Sequence, residues 1–283
     1  MVLAAAANTS FSLAPGPIII VALLTGLYVY RWRQVRAAGS TRGATWTLLA
    51  CWMTGIFALF VALISPIDNL ADQVFAMHMV QHVLLLDIVP VFLILGLSKV
   101  LLRPIARTVL DAERALGPIA HPLFAICFYV GAMWVWHLPA LYDAALKHSG
   151  IHVIEHTFFL SAGLLYWWHL LSPVRGRHFG GLAPVGYMLS TKLAVGLLGI
   201  LLTFAPNALY DFYKTGPHVW GLKPTDDQAL AGAIMAIEQS VVMGIALAYL
   251  FVRALSESER AQEREDRLLD QQEADAAAAN AAR

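Results

Sequence analysis

The sequence predicts an all-α fold: a polytopic membrane helical bundle with seven transmembrane helices. Three observations carry that reading. The 283 residues are 59% hydrophobic and 13% charged, with a mean hydropathy of +0.64, whereas a soluble domain carries about 25% charged residues. Several apolar runs approach or exceed the roughly 20 residues that cross a bilayer. These runs lack strand-like alternation, and a helix satisfies all its own backbone groups in lipid. The net charge is zero, so there is no basic field for nucleic acid, and membrane lipid is the expected surrounding.

The spans fall at about 13–31, 45–64, 74–95, 121–138, 152–171, 184–205 and 229–252. Between them stand segments with Pro, Gly or charge: SPIDN, GLSK, LPALYD, SPVRGR and APNALYD. The organisation is therefore an extracytoplasmic N-terminal segment (1–12), a transmembrane domain (13–252) and a charged, Ala-rich tail (253–283) that continues span seven as a helix. The first basic residue, Arg31, follows the first apolar run, so that run reads as a retained span rather than a signal peptide.

Basic residues set the orientation. Arg31, Arg33, Arg36 and Arg42 follow span one; Lys99, Arg103, Arg107 and Arg114 follow span three. Arg175 and Arg177 follow span five, and the tail begins at Arg253. The alternate loops and N-terminus hold only Lys147, Lys214 and Lys223. This places the N-terminus outside and the C-terminus in the cytoplasm.

The polar residues then acquire a depth. Span three carries MHMVQH, with His78 and His82; span five carries HVIEH, with His152 and His156. Residues four apart share a helix face, so each pair presents two imidazoles together, and both pairs lie near the outer boundary. His137 and Met133 end span four at the same level, and Met235 and Glu238 reach it in span seven. Two such histidine pairs can close a four-nitrogen metal site. Gln81, Glu155 and Glu238 would then orient the rings or supply an oxygen ligand.

Other readings share these residues. Intramembrane His and Gln also serve as interhelical hydrogen-bond partners, at around 1 kcal/mol per contact. One haem, taking a histidine from each span, is compatible with the spacing, although rings one turn apart lie too close to serve two haems. HVIEH also matches the inverted zinc-protease motif, but the companion cassette has Gln81 where a base would be needed. The two cysteines, Cys51 and Cys127, stand singly in apolar runs and form no thiol metal motif.

Deeper in the membrane, Asp87 and Lys192 fall at similar depth and are expected to neutralise each other as a buried pair. His121, His169 and His178 are expected near the cytoplasmic interface, with His169 beside Trp167 and Trp168 in an aromatic belt.

The ordered series SPIDNLADQVFAMHMVQHVLLL, WHLPALYDAAL, IHVIEHTFFLSAGLLYWW, PNALYD and ALAGAIMAIEQ resembles the seven-span CtaG-type assembly factors of caa3-type cytochrome c oxidase, over roughly residues 15–252. The resemblance implies a non-enzymatic membrane protein that helps to mature a haem–copper oxidase, with oxidase subunits as partners and copper as the ion supplied. Its motif positions here are His78, His82, His137, His152, His156 and Glu238, the set already reached from depth and spacing. A haem-binding electron carrier or a metal-free structural partner are the alternatives, and an intramembrane metalloprotease a weaker one.

Overall fold

The structure, a computed structural model, describes residues 6–174, 182–216 and 218–281. Arg175, Arg177 and His178 lie outside the described residues. All regular structure among those described is helical.

Proline opens many of the helices, at the first position where a missing N–H costs nothing. Helix α1 spans Pro15–Ala37, followed by α2 (Trp46–Leu63), capped by the Thr45 hydroxyl on Leu48 N, and α3 (Pro66–Ala71), capped by Ser65. Predicted span three is built of α4 (Phe75–Val83), a π-turn (Leu84–Ile88) and α5 (Val89–Leu95). Then come α6 (Lys99–Leu102), α7 (Ala106–Leu116), α8 (Pro122–Trp136), α9 (Pro139–Lys147), α10 (Ser149–Leu171) and α11 (Ala183–Phe204). The short α12 (Asp211–Thr215) and the long α13 (Pro224–Ala281) complete the chain.

Each of the seven predicted segments thus overlaps helical structure. By length and composition, four of the described helices are apolar enough to cross a membrane: Pro15–Ala37, Trp46–Leu63, Phe75–Leu95 and Ala183–Phe204. A fifth arises if the segment 106–120 and α8, bent by 64° to each other, count as one broken span. Helix α8 has only 15 residues, because His121–Pro122 restarts the chain; the His121 ring accepts the Leu123 N–H and caps the new helix. That is the role of His121, which the sequence had assigned only to the interface.

The main core lies among α2, α4–α5, α8, α10, α11 and α13, with Phe75, Met79, Tyr129, Phe159, Tyr166 and Trp167 fully buried in it. Helix α1 packs on α2 and α6 with a small core of its own, Tyr28, Trp32, Val35, Ala44 and Leu101. Arg31 ties the two helices by donating to the Val100 and Leu101 carbonyls. At the other end, α13 caps α4: the Asp227 carboxylate accepts the N–H groups of Phe75 and Ala76 at 2.8 and 2.9 Å.

The π-turn has a local cause. Pro90 has no N–H to give the Leu86 carbonyl four residues back, and its ring crowds that oxygen. An extra residue in the turn relieves the conflict, as π-bulges do. Helix α10 covers the freed carbonyl through Gly163: a Cβ there would collide with Leu86 O. Helices α11 and α13 make a second close crossing at Gly199 and Gly232, where a Cβ on Gly232 would stand 2.6 Å from Gly199 O.

Two expectations are corrected inside this core. Asp87 does not pair with Lys192. Its carboxylate accepts the Tyr129 hydroxyl and the Trp167 indole N–H, each at 2.8 Å, with the Gln239 amide at 3.5 Å. Depth placed the two charges level, but α11, which carries Lys192, packs on α8 and α13 rather than on the π-turn. Trp167 is likewise no belt residue, because its ring is buried and its N–H is committed to Asp87. His169, also expected in that belt, is buried as well.

Candidate metal centre

Helix α4 presents His78 and His82 one turn apart, with ring centres at 4.2 Å, and α10 presents His152 and His156 at 4.1 Å. The two faces meet. His78 stacks on His152 at 5.3 Å and lies 6.1 Å from His156; His82 stands 5.8 Å from His156. Glu155, one residue before His156, turns into the same gap and is fully buried.

One ligand atom from each of His78, His152, Glu155 and His156 lies within 4.8 Å of the other three. In a tetrahedral site with metal–nitrogen bonds of about 2.0 Å the donors stand about 3.3 Å apart. Inward movements of up to about 0.8 Å per donor therefore close a three-imidazole, one-carboxylate site. Glu155, expected to orient the rings or to supply an oxygen ligand, belongs to the tightest group. His82 stands at its edge, with Nε2 3.5 Å from Glu155 Oε1, while His78 Nε2 is 3.8 Å from Oε2.

The unspent polar atoms are those a cation would engage. His78 Nε2, both ring nitrogens of His82, Nε2 of His152 and of His156, and both Glu155 oxygens are buried without a hydrogen bond. Leaving so many buried polar atoms unmade costs on the order of 1–3 kcal/mol each, and a lone buried carboxylate costs more. A divalent ion offsets the carboxylate charge and takes the imidazole lone pairs together. The residues present fit such an ion.

The remaining predicted residues fall elsewhere. The Gln81 amide donates to the Ala62 carbonyl and to Asp68, both at 2.8 Å, so it ties α4 to the α2–α3 corner rather than orienting a ring. Glu238 sits one level deeper, accepting the Gln239 amide at 3.0 Å beside Asp87. A cavity of about 10 Å³ lined by His82, Asp87, Met133, Met235, Glu238 and Gln239 lies between the two layers. His137 is buried and contacts Met79, a residue the sequence reading passed over. Its signal was the alternation of Met77, His78 and Met79 in span three.

The side toward α9 and α12 is closed rather than open. The tetrapeptide Ala-Leu-Tyr-Asp occurs twice, at 140–143 and 208–211, in α9 and at the entry to α12. Tyr142 lies 5.1 Å from His78, and Tyr210 packs on it at 4.2 Å. Phe75 and Tyr213 complete an aromatic cover. Asp143 caps α12 through the N–H groups of Asp211 and Phe212, while Tyr210 and Tyr213 hydroxyls bind the His137 and Ala71 carbonyls. His152 and His156, partly buried as residues, form the less covered side.

Comparison with known proteins bears on this arrangement. The family model described as cytochrome c oxidase caa3 assembly factor (Caa3_CtaG) matches residues 26–257. The chain belongs to that family. An uncharacterised protein of Mycobacterium leprae is 26% identical over 274 residues, covering 90% of this chain and 41% of the relative. One of Mycobacterium bovis is 26% identical over 257 residues, covering 84% of this chain and 39% of the relative. The chain thus spans about two fifths of the length of these relatives. No solved structure matches it. The buried His/Glu cluster is a group able to hold a metal.

Proposed function

We propose that this caa3 assembly factor binds a copper ion, as cargo, at His78, His152, Glu155 and His156 and passes it to a nascent cytochrome c oxidase. The observation that carries the reading is the convergence of three imidazoles and one carboxylate, buried and unspent, in a family tied to oxidase assembly. Imidazole and carboxylate donors suit copper(II), and the site contains no thiolate. The chain acts as a binding and delivery protein rather than an enzyme. It sits in a bacterial plasma membrane with seven spans, the histidine level outward and the tail inward, as the basic residues favour.

In this reading the residues have distinct tasks. His78 and His152, stacked, set the width of the site. Glu155 supplies the negative charge. His82, at the edge, offers an alternative nitrogen to a departing ion. Release requires the Tyr142–Tyr210 cover to part, or the ion to leave past His152 and His156.

The test is metal content and absorption of the purified protein, wild type against His78→Ala/His152→Ala. Loss of about one equivalent of copper(II) per chain in the variant supports the reading; unchanged copper(II) content removes it. A Soret band would instead favour a haem carrier, and substrate cleavage abolished by Glu155→Gln a protease.

A further inference from the structure

We propose a second ion site, separate from the His/Glu cluster, formed by His137 and Met79 and suited to a soft monovalent ion such as copper(I). His137 Nδ1 lies 2.6 Å from the Met133 carbonyl. A carbonyl can only accept, so Nδ1 carries the proton. The neutral ring then has a bare lone pair on Nε2, and that nitrogen points at the Met79 sulfur at 3.3 Å. The thioether has no proton to give. Two acceptors face each other, both fully enclosed, with His137 at 4% and Met79 at 0% exposure.

A doubly protonated ring would fill the gap with an N–H but would bury a positive charge. His137 makes no ion pair among the described residues, and an unpaired buried charge is strongly disfavoured. An ion bound to both atoms fits better. At bond lengths of about 2.0 Å to nitrogen and about 2.3 Å to sulfur, the observed spacing corresponds to an angle of roughly 100° at the ion, too bent for a two-coordinate copper(I) and nearer to a trigonal site that a third donor completes. Thioether sulfur with imidazole, and no oxygen donor, selects copper(I) over divalent ions.

The position has meaning. His82 stands between the two donor sets, its ring centre 5.8 Å from His137 and its Nε2 3.5 Å from Glu155. Tyr210, in the aromatic cover, holds the His137 carbonyl. The harder, charged site and the softer, neutral one thus share a common neighbour. The second site does not depend on the first being occupied by copper.

The experiment uses the full chain in detergent, loaded anaerobically with copper(I) against a chromogenic copper(I) chelator, with X-ray absorption at the copper edge. Wild-type protein should show a sulfur scatterer at about 2.3 Å. Met79→Leu, which nearly conserves volume, should remove that scatterer and weaken copper(I) binding by about tenfold or more. Zinc binding should persist in Met79→Leu and fail in His78→Ala/His152→Ala, which should keep the copper–sulfur signal. Absence of sulfur scattering in the wild type overturns the proposal, whatever the folding of the variant. So does copper(I) affinity unchanged by Met79→Leu. Loss of zinc binding alone from wild type would instead sink the His/Glu site.

Discussion

Asp227 caps a helix to which it does not belong: its carboxylate accepts the Phe75 N–H at 2.8 Å, joining the start of α13 to the start of α4. The second oxygen takes Ala76 N–H. Both amides belong to the first turn, whose donors have no partner within the helix. His78 follows one turn later, so this clasp also fixes the height of the first metal-facing ring. Asp227→Ala should lower stability by about 2 kcal/mol, since it strands buried donors bound to a charged acceptor. It should weaken divalent-metal binding as well. The apparent unfolding temperature and a zinc titration in detergent measure both.

Glu155→Gln removes the only charge in the tightest donor group while keeping its shape. Affinity for a divalent ion should fall at least tenfold, and affinity for copper(I) at His137 should change little. Competitive titration with each ion distinguishes the two, and an equal loss of both would refute separate sites.

Gly163→Ala should destabilise the bundle by about 1–3 kcal/mol, because the new methyl group meets the Leu86 carbonyl and α10 must back away. Gly131→Ala and Gly196→Ala face open space on other helices. They should be neutral or stabilise by up to about 1 kcal/mol, as glycine inside a helix carries an entropic cost. Thermal unfolding of the three variants side by side checks the contrast.

Asp87→Ala leaves the Tyr129 hydroxyl and Trp167 N–H buried without an acceptor, a loss of roughly 2–5 kcal/mol. Lys192→Met should be nearly silent, because the lysine supplies no ion pair to Asp87. A large effect of Lys192→Met in thermal unfolding would restore the pairing read from depth.

What was legible in the sequence follows from periodicity. Histidines four apart must share a face, and the doubled cassette made convergence of α4 and α10 a natural expectation; the rings do face each other. Azimuth was the hidden quantity. Depth put Asp87 level with Lys192 and Glu238 level with the histidines, but depth does not say which neighbour a side chain meets. Helix packing sent Glu238 to Asp87 and Gln239, and sent Gln81 to Asp68. Met79 escaped notice because a methionine in an apolar run looks like filling until a bare imidazole nitrogen is found against it.

Pro90 also stood in plain view, inside what reads as a continuous span. An ideal helix turns 100° per residue, so the one residue absorbed between Leu84 and Ile88 resets the azimuth of everything beyond it. The residues beyond the turn are therefore offset by about 100° from where an unbroken helix would carry them, like two keys cut on one shank. Deleting a single leucine there would leave composition and hydropathy almost untouched, yet turn one end against the other.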